Sequence, residues 1–202
     1  MKNYAPPRTN HAGIVIPVLL FAIAAVCLIT ASLGYGIRLF LQLIGALSAV
    51  AGIQLSTRFQ LISFTYVIGT SQDIGNRVTG VLDAAGTINR PLEFNEMPIS
   101  GADTLAVSKI QGKRSFLICN LPLSKAIGCD RFLPYHGGKC RNALTAKYGK
   151  LNRIFNFCPS MFPREVTALV FEANGERAAI LLETDESFHT QLVRTIAGQT
   201  AQ

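Results

Sequence analysis

Between Ala12 and Leu33 the chain carries no charged residue and is built mainly of Ile, Val, Leu, Ala and Phe. At 1.5 Å rise per residue, a helical run of that length crosses about 30 Å of hydrocarbon. A second such run follows almost at once, from Ile37 to Leu55, and its only charge is Arg38 at the very start, where a long side chain can snorkel to the headgroups. The pattern predicts a transmembrane helical hairpin over residues 12–56. Residues 1–11 then form a cytoplasmic tail and residues 57–202 a soluble cytoplasmic domain of a size usual for a single core.

A cleaved signal peptide is the competing reading of the first run, because Lys2 and Arg8 precede it and small residues, Ala31 to Gly34, end it. Signal cores usually hold about 7 to 15 apolar residues, fewer than this one, and a second run directly behind it favours two retained helices. Lys2 and Arg8 before the hairpin and Arg58 and Arg77 after it, against Arg38 in the turn, place both ends in the cytoplasm by the positive-inside rule. In the second helix Gly45 and Ala49, and Ser48 and Gly52, are small residues four apart that let another helix come close. They suit packing against the first helix or, in a sharper reading, a homo-oligomer seam. Pro17 is tolerable one turn into the first helix. No Asp, Glu, Lys or His lies at mid-membrane depth, and Gln42 and Gln54 near the ends are weak candidates for an ion or proton path.

The soluble part is strand-rich. Leu61 to Ile68 reads as a strand entering the domain almost without a linker, and Arg77 to Leu82 as a second, before a turn at Ala84 to Gly86 and a loop over residues 89–101. Thr104 to Ile110 and Ser115 to Cys119 flank the polar turn Gln111 to Arg114, a basic hairpin tip. Leu123 to Ile127 is long enough for one helical turn. Gly128 to Lys150, with Pro134, Gly137, Gly138 and Gly149, reads as a long loop or a broken helix, and Ile154 to Phe157 as a short apolar run. Val166 to Glu172 and Arg177 to Glu183 form a hairpin about Asn174 and Gly175. A helix follows, capped by Thr184, with Asp185 and Glu186 at its positive end, Gly198 at its stop, and Phe188, Leu192, Val193 and Ile196 on its packing face.

The basic hairpin Thr104 to Cys119 and the strand, turn, strand and helix from Val166 to Ile196 resemble bacterial two-helix membrane proteins carrying a pleckstrin-homology-like domain. That resemblance implies an α+β domain whose curved sheet is closed by a C-terminal helix, behind a membrane α-helical hairpin. The stretch from Cys129 to Pro163 departs from it as an insertion.

Basic residues crowd the middle of the domain, from Lys109 to Arg164 with only Asp130 opposing them, and six acidic residues follow from Glu165 to Glu186. Much of the formal charge of +7 therefore sits in one stretch. A solvated face is the bland reading. Held beside a cytoplasmic leaflet, Lys109, Lys113, Arg114 and Lys125 are candidates to bind anionic lipid headgroups or a cytoplasmic protein. Nucleic acid is electrostatically allowed, but no recognition motif accompanies the charge. Cys119, Cys129, Cys140 and Cys158, with His136, invite a zinc reading, which gaps of about ten residues or more argue against because structural zinc sites use close pairs. Cys27 reads as an apolar side chain and His189 as a solvent-facing one. No catalytic signature is present, no cofactor is called for, and no metal is expected. The leading reading is a membrane-anchored binding or scaffold module. The alternative is a membrane-bound thiol- or metal-dependent hydrolase using the Cys- and His-containing loop 129–140.

Overall fold

The computed structural model describes residues 2–7, 11–34, 37–70, 103–112, 114–173 and 175–200. These fall into a helical unit and a sheet unit, each taken by itself. The strand expected at Arg77 to Leu82, the turn after it and the loop at 89–101 lie outside the described residues.

The helical unit holds α1 (Ala12–Ser32) and α2 (Arg38–Phe59), both long and apolar enough to cross a membrane by length and composition. Their contact is made by small residues. A Cβ added at Gly45 would come within 3.0 Å of Leu28 and 3.3 Å of the Ala24 carbonyl, and one at Gly52 within 3.0 Å of the Phe21 ring. Gly45 and Gly52 are therefore taken up inside the hairpin, where they let α2 lie close on α1. Thr30, Ser32 and Thr57 hydroxyls donate to carbonyls one turn back, at 2.7 to 2.9 Å. Such back-bonding pairs these three hydroxyls within their own helices. Away from the contact, Ile14, Val18, Leu47 and Ile53 among others are exposed.

The sheet unit is strand-rich, with two four-stranded sheets and a C-terminal helix, and the sheets are not closed. Sheet A runs in the order β1 (Lys2–Tyr4), β2 (Ile62–Thr70), β3 (Asp103–Gln111), β4 (Arg114–Pro122). Its first strand comes from the N-terminal tail. Lys2, Asn3 and Tyr4 pair antiparallel with Ile68, Val67 and Tyr66, so the segment before α1 and the segment after α2 are neighbours in one sheet. Tyr4 holds this strand down by stacking on Phe188 with ring centroids 4.9 Å apart.

Sheet B runs β5 (Ala126–Phe132), β7 (Val166–Ala173), β8 (Glu176–Leu182), β6 (Arg153–Asn156), with β6 parallel to β8 and the other pairs antiparallel. The central pair is buried on both faces, which explains why Ala178 to Leu182 is continuously apolar where a half-exposed strand would alternate. One face packs under α3 (Gly137–Tyr148), whose Cys140 and Leu144 meet Val166, Ala168, Val170, Ala179 and Leu181. The stretch read as a long loop or a broken helix is strand β5, a turn and helix α3, and the supposed insertion supplies half of sheet B and its cover. Gly128 does not make a turn there. A Cβ on it would run into the Tyr148 hydroxyl and ring, so its bare backbone admits that ring against β5.

The hairpin about Gly175, whose φ is 76°, stands as the sequence implies. The helix after it, α4 (Glu186–Thr200), is capped by Asp185, whose Oδ1 accepts the Phe188 amide at 2.7 Å. Thr184 is instead buried, with its hydroxyl 2.6 Å from that of Thr167. The helix runs through Gly198 without stopping. Phe188 and Leu192 are fully buried, whereas Val193 is exposed. Leu123–Lys125 forms the single helical turn expected there, a 3₁₀ turn.

Candidate functional site

The hydroxyl of Thr104 donates to the Gly69 carbonyl at 3.2 Å, which sets the start of β3 beside the end of β2. The turn between β3 and β4 therefore falls toward the other end of sheet A, where β2 begins. Gln111 pairs with Arg114 and Lys109 with Phe116, so Lys109 and the start of β4 share that end. Gly112, with φ of 60°, makes the turn. Lys113 and the Arg114 side chain lie outside the described residues. Lys125 does not join this group. It follows Pro122, which pairs with Thr104 at the far end of the hairpin, roughly 25 Å away at about 3.3 Å per strand residue.

Elsewhere the basic stretch is met by acids. Arg131 on β5 bonds Glu165 and lies 3.6 Å from Glu186, and Lys147 reaches Asp130 at 2.5 Å. The pairing follows from register, because β5 runs antiparallel to β7 with Phe132 opposite Val166. Residues from the basic middle and the acidic final third are thereby brought together.

Cys140 and Cys158 share the core under α3, but the four soluble-domain cysteines do not converge on one point. Cys129 is opposite Leu169 on β5, whereas Cys140 packs on the alternate residues Val166, Ala168 and Val170. Successive strand residues point to opposite faces, so the two thiols lie on opposite sides of sheet B. His136 stands just before α3. Among the described residues no group of three or more His, Cys, Asp or Glu could hold a metal.

The contact between a thiol and an imidazole lies elsewhere. His189 on α4 faces sheet B, not solvent, with Nδ1 3.2 Å from the Thr167 hydroxyl and 3.8 Å from Cys129 Sγ. Burial and then the Arg131 cation hold this imidazole below its ordinary value, so it is neutral near pH 7. Burial, with Asp130 adding to it, pushes the Cys129 thiol up to about 12. A neutral ring beside a protonated thiol makes a packed hydrogen-bonded contact, since nucleophilic attack needs the thiolate. Burial raises Cys119 to about 12 and Cys140 to about 11 in the same way. The signal for His189 was present in the sequence: His189, Leu192 and Ile196 fall at i, i+3 and i+7, on one helix stripe.

No protein-family model, curated protein or solved structure matches this chain.

Proposed function

We propose that this chain is a multi-pass membrane protein whose cytoplasmic α+β domain is a non-enzymatic binding or scaffold module, contacting anionic lipid headgroups through the β3–β4 turn. The pairing of β1 with β2 carries the reading. Two spanning helices whose outer flanks are hydrogen-bonded to each other must return to the side they left. Lys2, Arg8 and Arg58 on those flanks make that side the cytoplasm.

Only Gln60 and Leu61 separate α2 from β2, so the end of sheet A at which β2 begins cannot drift far from the bilayer. That is the end at which Lys109 and the start of β4 lie. Each cation near an anionic surface contributes about 1 kcal/mol, and tethering supplies the local concentration that lets so weak an attraction count. Against an enzyme stand Cys129 and Cys140 on opposite faces of sheet B, and the burial that holds Cys119, Cys129 and Cys140 protonated. The likeness to pleckstrin-homology-like domains rests on the hairpin Thr104 to Cys119 and on the strand, turn, strand and helix from Val166 to Ile196. Helix α3 and the parallel pairing of β6 with β8 fall outside it.

The full chain, placed in nanodiscs of zwitterionic lipid or of lipid rich in phosphatidylglycerol, tests the contact by amide hydrogen exchange. The reading expects slower exchange over residues 109–117 in the anionic discs at low salt, fading as exposed charges are screened over about 10 Å at 0.1 M. The slowing should vanish when Lys113→Glu and Arg114→Glu are combined. Equal exchange in both lipids at low salt overturns it.

A further inference from the structure

Three glutamines lie on α2 or just past it, and the hairpin takes up Gln60 alone. Its amide nitrogen donates to the Gly13 carbonyl at 3.2 Å. Gln42 and Gln54 are exposed. With α2 centred in the bilayer, Gln54 lies about 8 Å and Gln42 about 10 Å from the midplane at about 1.5 Å per residue, inside a hydrocarbon layer that reaches about 15 Å either way. Glutamine lacks the long stem with which lysine or arginine regains the headgroups. An exposed amide at that depth keeps two donors and an acceptor with no water to pair them.

The two exposed glutamines stand on different faces. At about 3.6 residues per turn, Gln54 lies roughly 180° round the helix from Gly45, and Gln42 roughly 60°. Gly45 and Gly52 face Leu28 and Phe21 of α1, so Gln42 flanks that contact and Gln54 is turned away from it. Phe40, Leu43, Leu47 and Val50 share the side of Gln54, and each is more than half exposed. From Phe40 to Gln54 the steps run three, four, three, four, the spacing of a seam between two helices that wind round each other left-handed. A single polar residue in such an apolar seam fixes its register and the number of copies that join.

We propose that this face of α2 is a seam between two copies of the chain, in which the Gln54 side chains of the two copies hydrogen-bond to each other. The occupant is a second copy because the amide is self-complementary, its carbonyl accepting what its nitrogen donates. Copies inserted the same way round also run parallel, which brings Gln54 level with Gln54 across a two-fold axis along the bilayer normal. The leucines alone give no such preference, since lipid tails are as apolar as they are. The inference rests on the membrane reading of α1 and α2. It places the contact between copies opposite the glycines that first suggested one, because those glycines are occupied by α1.

Full-length chains carrying a donor or an acceptor fluorescent protein at the C-terminus are reconstituted together into vesicles, and energy transfer is followed as lipid is added. The wild type should transfer above the level of random proximity and lose that transfer on dilution. Gln54→Leu should lose it at about three- to thirtyfold less lipid, the range set by one interhelical hydrogen bond in a membrane. Gln42→Leu, the same exchange at similar depth on another face, should dilute like the wild type. Transfer no greater than random in the wild type, or a shift in Gln54→Leu no larger than in Gln42→Leu, refutes the seam. Extraction with alkaline carbonate tells this apart from a failure of the membrane reading. A chain that stays with the vesicles but fails these tests loses the seam alone, whereas a chain that carbonate releases sinks the spanning helices and the seam together.

Discussion

Tyr66 offers the sharpest test of how the sheet unit is held together. Its side chain is fully buried, its hydroxyl donates to the Phe157 carbonyl at 2.9 Å, and the Glu183 amide donates to that hydroxyl at 3.3 Å. One atom thus ties β2 to the residues after β6 and after β8. Tyr66→Phe keeps the ring and deletes the hydroxyl, leaving a buried carbonyl and amide without that partner. Such a loss costs about 1–3 kcal/mol for a well-made bond. The 2.9 Å bond counts nearly in full and the 3.3 Å bond much less, so the expected cost is about 2 kcal/mol. The buried thiols Cys119, Cys140 and Cys158, which form no disulfide, supply the assay, since they become alkylable when the unit opens in urea. With a slope of about 1–3 kcal/mol per molar urea, the midpoint should fall by about 1 M. Burial also raises the Tyr66 phenol well above its ordinary value. Above about pH 10 the unfolded chain gives up this proton and the folded chain keeps it, so its contribution to stability is lost as pH rises. Phe has no such proton, and the gap between the two proteins should narrow in strong alkali. A change below the roughly 0.5 kcal/mol typical of surface substitutions would refute the reasoning.

Further outcomes follow from other contacts. Gly128→Ala drives a Cβ into the Tyr148 ring and should destabilise the sheet unit by about 1–3 kcal/mol, read as the same loss of urea midpoint; an unchanged midpoint would mean the ring moves aside freely. Cys129, held protonated to about pH 12, should react with iodoacetamide near pH 7.5 on the order of a thousandfold more slowly than an unburied thiol. Peptide mass spectrometry resolves this rate, and native-state labelling at the free-thiol rate would show that β5 is open there. Reporters fused at either end should both register the cytoplasm; a C-terminal reporter active only in the periplasm sinks the orientation.

How much of this was legible depended on how local each cause is. The helical hairpin could be read because its signal is carried by some twenty residues in a row, each consistent with its neighbours. The β7, turn, β8 and α4 order could be read because an Asn-Gly turn, continuous apolar strands and a helix stripe all agree. Lys2 to Tyr4 carries no strand signal of its own, since its strand identity comes from Tyr66, Val67 and Ile68 across the whole hairpin. Helix α3 could be read only as one of two alternatives, a loop or a broken helix, because only Cys140 and Leu144 are buried on it and two glycines open it. Gly128 misled because a glycine that makes room for a ring looks the same, in sequence, as one that makes a turn.

The charge pattern shows where linear reading fails most. Along the chain, cations and anions are separated, which invites the idea of one basic face. Folding undoes part of that separation. The antiparallel register of β5 and β7 returns Glu165 to Arg131, α4 brings Glu186 to the same guanidinium, and Asp130 takes Lys147. Exposed pairs of this kind contribute only about 0–1 kcal/mol each to stability, but they cancel field wherever they form. Arg131 and Lys147 therefore lose most of their pull on a distant surface, and Lys125 lies at the wrong end of its hairpin. The electrostatic argument for lipid contact narrows to the β3–β4 turn, and that is why the double change at Lys113 and Arg114, rather than a broad loss of charge, is the variant that decides it.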